Sequence, residues 1–138
     1  MQAKLPLRVS SIILFLFALG HTVGFQTFRP SSKAALDVRE AMRTVPFVFG
    51  SATVHWMDLF MGFGLALSVW GFCSAILAWR LSTSSIAEVA LARAIAWLLC
   101  ATQLASLVIS LRYFGIMQAG FSLVSLAALV WSAIRLKG

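Results

Sequence analysis

The stretch VHWMDLFMGFGLALSVWGFCSAILAWR, residues 54–80, decides what kind of protein this is. From Leu59 to Trp79 it carries no charged side chain. A helix rising about 1.5 Å per residue needs about 20 mostly apolar residues to cross ~30 Å of hydrocarbon. This run is long enough, and only Asp58, near its beginning, breaks it. It is read as a membrane span over 54–79.

Three more spans are found by working outward from it. Residues 5–25 form the first, with Arg8 close enough to the start for its guanidinium to reach headgroups. Residues 86–111 and 113–136 form the third and fourth. The turn between them falls in LRYFG, 111–115, where Arg112 supplies polarity and Gly115 backbone freedom. The opening MQAKLPLRVSSIILFLFALGH has a basic start, an apolar core and a small-residue Ala18-Leu19-Gly20, as a signal peptide does. The apolar run continues through Val23, Gly24 and Phe25, so a retained first helix is expected.

Composition agrees. Of 138 residues 61% are hydrophobic and 11% charged, against about 25% charged in a soluble domain. Mean hydropathy is +0.95. Such a chain cannot cover a water-facing surface. The net charge of +7 does not point to nucleic acid, because the basic residues punctuate apolar segments and form no stripe. Membrane topology and anionic headgroups explain them. Cys73 and Cys100 fall inside apolar runs, where a thiol acts as a small hydrophobe.

Residues 26–52 form the one long connection. Pro30-Ser31-Ser32 reads as a helix start, and KAALDVREAM after it has apolar residues at 35, 36, 38, 41 and 42. A short amphipathic helix at the membrane surface is predicted, with Lys33, Arg39 and Arg43 toward phosphates. Pro46 and Gly50 then release the chain into the second span. With four spans the termini share a side with Lys4, Arg8, Arg80, Arg93, Arg135 and Lys137, against Arg29, Lys33, Arg39, Arg43 and Arg112. That balance leans to cytoplasmic termini in a multi-pass protein of the cell inner (plasma) membrane.

Small residues let membrane helices approach. Gly62, Gly64, Ser68 and Gly71 lie on the second span, Ala87, Ala90, Ala94, Ala101 and Ala105 on the third, and Gly115, Ala119 and Gly120 open the fourth. The expected fold is all-α: an integral membrane antiparallel four-helix bundle, with the amphipathic interfacial helix between helices 1 and 2.

His21 and His55 both lie near one membrane face, and Asp58 follows His55 by three residues, one helical turn. If the first two helices are neighbours, the three converge just inside the interface. Neutral imidazole ligates haem iron or chlorin magnesium, and a carboxylate behind it fixes the tautomer. A plainer reading makes them a hydrogen-bonded cluster at headgroup depth. No HxxxH, HExxH or CxxC supplies a metal site, and standard catalytic signatures are missing, so the reading leans away from an enzyme. Gln103 and Gln118, inside the last two spans, are expected to join helices through their amides. Glu88 and Arg93 are read as interfacial.

Gly20-His21-Thr22-Val23-Gly24 and Trp56-Met57-Asp58-Leu59-Phe60-Met61-Gly62-Phe63-Gly64-Leu65 together resemble a family of small four-helix bacterial membrane proteins. In that family Gly-His-Thr ends the first helix and Trp…Gly-Phe-Gly-Leu lies in the second. The resemblance implies four spans and marks His21; it implies no mechanism.

The function expected from sequence is that of a non-catalytic accessory or assembly subunit of a larger membrane complex, in contact with lipid and with other transmembrane subunits or a second copy. Two alternatives stand beside it. One is a haem- or chlorin-binding protein using His21 or His55, with Asp58 behind them. The other is a small membrane enzyme or redox protein for a lipophilic substrate, with the same three residues handling protons.

Overall fold

The structure is a computed structural model and describes residues 4–83 and 89–136. Four helices are long and apolar enough to cross a membrane: Lys4–Thr27, Trp56–Thr83, Val89–Phe114 and Ile116–Arg135. They are called α1, α3, α4 and α5, with α4 regular over Val89–Ile109 and its last turn, Ser110–Phe114, widened into a π-helix. Between α1 and α3 lie helix α2, Lys33–Thr44, and a hairpin of strands β1, Pro46–Phe49, and β2, Ala52–His55. Pro6 falls in the first turn of α1, where its missing N–H costs no intrahelical bond.

The predicted surface helix is present. Ser32 is its N-cap, its side chain accepting from the Ala35 N–H at 3.2 Å. The hairpin is a correction to the sequence reading, which ran the chain straight from Gly50 into the second span. Pro46 pairs with His55 and Phe49 with Ala52, closed by Gly50-Ser51. Gly50 has φ +62°, the left-handed value that two-residue hairpin loops demand at this position. The Phe47 ring then stacks on Trp56 at 4.3 Å, tying the hairpin to the start of α3. The second span therefore begins at Trp56, and Val54 and His55 belong to a strand.

The described residues form two compact units. The first takes those up to Phe17 and from Gly71 onward, and its interior is made of small side chains. Ala78, Ala92, Ala96 and Ala133 are buried around Leu7, Leu99 and Leu129. Ser10, Ser74, Ser82, Ser122, Ser125 and Ser132 are buried too. Large apolar residues such as Ile76, Trp97, Leu98, Leu123 and Trp131 face outward. A soluble domain does the reverse. In lipid, outward leucines and tryptophans cost nothing, and inward serines and alanines let backbones approach. Three of these hydroxyls are spent locally: Ser10 donates to the Pro6 carbonyl at 2.9 Å, Ser82 to that of Trp79 at 2.6 Å and Ser132 to that of Ala128 at 2.8 Å. Ser11 instead donates across to the Ala75 carbonyl at 2.7 Å, joining α1 to α3.

Within this unit α4 and α5 pack as a helical hairpin. The buried stripe of α4 is Ala92, Ala96, Leu99, Cys100 and Gln103. The alanines expected to pack, Ala90, Ala94, Ala101 and Ala105, lie on the exposed side, and Ala87 is outside the described residues. The π turn closes on Gly115, whose N–H donates to the Ser110 carbonyl at 2.8 Å. On α5 Ala119 is buried, while a Cβ on Gly120 would meet open space. Gln103 is buried and Gln118 half-buried, but no hydrogen bond joins their amides among the described residues. Arg93 is exposed, and Glu88 lies outside the described residues. Cys73 is exposed and Cys100 buried, both free thiols.

Candidate functional site

The second unit, Ala18–Trp70, contains α2, the hairpin, the end of α1 and the beginning of α3. Two helical stripes meet in it. On α1 the stripe is His21, Gly24 and Phe25, continued by Phe28 just past its end; on α3 it is Met57, Phe60, Met61, Gly64 and Ser68. Both follow the three-and-four spacing that places residues on one helix face.

At the inner end His21 Nδ1 lies 3.1 Å from Ser68 Oγ. The Ser68 hydroxyl donates to the Gly64 carbonyl at 3.2 Å, so its oxygen accepts from the imidazole N–H. The His21 ring stacks on Phe25 at 5.6 Å, with 8° between planes, and Phe25 meets Phe60 at 5.0 Å. The Phe25 ring occupies the space above Gly64, where a Cβ would run into it. Gly64 is thus a packing glycine, as its small size suggested. Gly62 is not: a Cβ there would meet nothing within 4 Å. Gly71 is buried.

Beside this layer lies a cleft of about 790 Å³. The roof is one face of α2: Ala35, Val38, Arg39, Met42 and Arg43. Met57, Phe60 and Met61 of α3, Gly24 and Phe25 of α1, and Phe28 just past α1 form the walls, with His21 among the lining residues. Arg39 Nη1 donates to the Phe28 carbonyl at 2.9 Å, fastening α2 to the end of α1 and placing a cation at a helix C-terminus. The sequence reading turned Arg39 and Arg43 outward to lipid phosphates; both line the cleft.

His55 and Asp58 form a separate pair. The His55 backbone N–H donates to Asp58 Oδ2 at 2.9 Å, and His55 Nδ1 lies 3.4 Å from the same oxygen. Asp58 occupies the third position of α3, so this is half of a capping box, with the carboxylate at the positive end of the helix. Neither residue lines the cleft. Ser68, and His21 with it, stand about 15 Å further along α3 at 1.5 Å per residue. The expected convergence of His21, His55 and Asp58 is therefore corrected. Asp58 finishes a helix start, and His21 lies beside Ser68, near the middle of a 28-residue helix.

Among the described residues no group of three or more His, Cys, Asp or Glu is placed to hold a metal ion. Ligation of one macrocycle by both histidines is not what this arrangement builds. What sequence reasoning missed is the cleft itself. Ser68 was visible as a small residue but not as the partner of His21.

No family model matches the chain, and neither a curated protein nor a solved structure does.

Proposed function

We propose that the protein is a small multi-pass protein of the cell inner membrane, folded as an antiparallel four-helix bundle with cytoplasmic termini, whose cleft beneath α2 holds a lipophilic ligand. One observation carries the reading: an apolar-walled cleft of about 790 Å³ lined by the half-buried His21 imidazole and with arginines in its roof. Ligand sites occupy about 300–1,000 Å³, lined by hydrophobic side chains with a few placed polar groups. The His21 imidazole, held by Ser68, is one of the few polar groups set among the cleft's apolar walls.

Native mass spectrometry of the gently solubilised protein, run beside its visible absorption spectrum, tests this. The expected result is a stoichiometric small-molecule adduct that is weakened in Met61→Trp, where an indole crowds one wall of the cleft. An absorption band weakened with the adduct would identify a haem or chlorin. A bare chain mass, or an adduct indifferent to Met61→Trp, would refute the reading.

A second reading, the accessory subunit of a larger membrane complex, has its own observation. Trp70 and Trp97 lie in the interiors of α3 and α4, yet are 52% and 44% exposed. Membrane tryptophans favour the two interfaces, so an outward ring deep in a span suits a partner helix. The same spectra would report that partner as a stoichiometric protein mass.

A further inference from the structure

On the reading of the cleft as a ligand site, the charges around it bear on the ligand's chemistry. We infer that the cleft takes an amphiphile with an oxyanion head, phosphate or carboxylate, and an apolar body.

The argument starts from the face of α2. On an ordinary interfacial helix the arginines sit on the polar face and the apolar stripe is free of charge. Here the cleft-lining stripe is Ala35, Val38, Arg39, Met42 and Arg43, with both arginines inside the apolar row. Asp37 and Lys33 fall on the opposite side of the helix at 100° per residue, and Glu40, about 60° beyond Arg43, is also outside the cleft lining. Arg29, from the connection before α2, joins the lining, and none of the lining residues is acidic. Three guanidinium groups therefore face a volume whose remaining walls are methionine, phenylalanine, valine, alanine and glycine, with Gln26, Pro30 and His21.

A neutral lipophile would offer no counter-charge to these cations, of which Arg29 and Arg43 are exposed and Arg39 half-buried. An oxyanion supplies it. Planar guanidinium matches the oxygens of carboxylate and phosphate with two parallel N–H bonds, which ammonium cannot do, and all three cations lining the cleft are arginine. Arg39 has already committed one N–H to the Phe28 carbonyl, which fixes its position at the roof. The apolar walls formed by Met57, Phe60 and Met61 take the body of the amphiphile.

The test uses the full-length protein in a neutral maltoside detergent, with native mass spectrometry reading the bound fraction. The probes are hexadecyl phosphate, palmitate, hexadecanol and inorganic phosphate. The expected result is at least about tenfold tighter binding of one or both oxyanion amphiphiles than of hexadecanol, as charge-assisted hydrogen bonds allow. Which of the two binds tells a phosphate head from a carboxylate. Arg29→Gln combined with Arg43→Gln, which spares the structural bond of Arg39, should bring the preference below about threefold. Lys33→Gln, which removes one charge from α2 outside the cleft, should leave it intact.

Hexadecanol bound as tightly as the oxyanions, with no effect of the double substitution but weaker binding in Met61→Trp, would overturn this inference and keep the cleft as a neutral-lipophile site. Displacement of hexadecyl phosphate by millimolar inorganic phosphate would overturn the amphiphile half of it, leaving a simple anion site. Binding of none of the four probes, or binding indifferent to Met61→Trp, would overturn the cleft reading and this inference together.

Discussion

Gly64→Val is expected to destabilise the detergent-solubilised protein by about 1–3 kcal/mol, the usual cost of forcing atoms into a filled site. The new side chain has to enter the space held by the Phe25 ring, which is itself wedged against His21 and Phe60. Displacing Phe25 also moves the ring on which His21 stacks, so the floor of the cleft loosens with the packing. Shortening the obstacle should rescue it: Gly64→Val in a Phe25→Ala background should cost at least about 0.5 kcal/mol less, the coupling seen between contacting residues. Gly62→Val, two residues away on the same helix, faces open space and should shift the thermal midpoint little. Equal effects at 62 and 64, or no coupling to Phe25, would mean that α1 and α3 do not meet in this register.

Gly115→Ala should cost a comparable amount for a different reason. Gly115 has φ +89° and ψ −175°, a backbone region that only glycine enters freely. It turns the chain from the π-helical end of α4 into α5 while donating to the Ser110 carbonyl, and its own carbonyl accepts from the Ala119 N–H at 3.2 Å. An alanine there either carries strain of about 1–3 kcal/mol or breaks those bonds. Gly120→Ala, inside α5 with open space at its Cβ, is the matched control and should be neutral or stabilising. Thermal unfolding monitored by circular dichroism checks both, and a Gly115→Ala midpoint no lower than that of Gly120→Ala would contradict the turn geometry.

The four spans were legible because bilayer thickness sets a length, and apolar runs of that length have no other use. The α2 start was legible from Ser32, and Gly115 from its place between two apolar runs. The hairpin was not, although Phe-Val-Phe and Ala-Thr-Val flanking Gly50-Ser51 carry its signal. The long apolar run that follows drew Val54 and His55 into the span, and the rest was left as loop. The buried faces were the least legible part. Membrane helices are apolar on every side, so hydrophobic periodicity does not tell the packed face from the lipid face. Small residues do, and the serines of the first unit mark its interior better than the alanines chosen from sequence, four of which point outward. The pairing of His21 with Ser68 depends on the register between two helices, which no local pattern encodes. The fate of Asp58 had the same cause: once His55 belongs to a strand, the carboxylate is a helix cap rather than a partner for His21.

The central claim is that the space beneath α2 is a ligand site and not a groove filled by bulk lipid. Photocrosslinking from two neighbouring positions tests it most directly, with benzoylphenylalanine placed at Phe60, which lines the cleft, or at Phe63, which is 74% exposed. After irradiation in native membranes, position 60 should carry one dominant small-molecule mass, and position 63 the spread of masses found in the surrounding lipid. The same bulk-lipid spread at both positions would contradict the account.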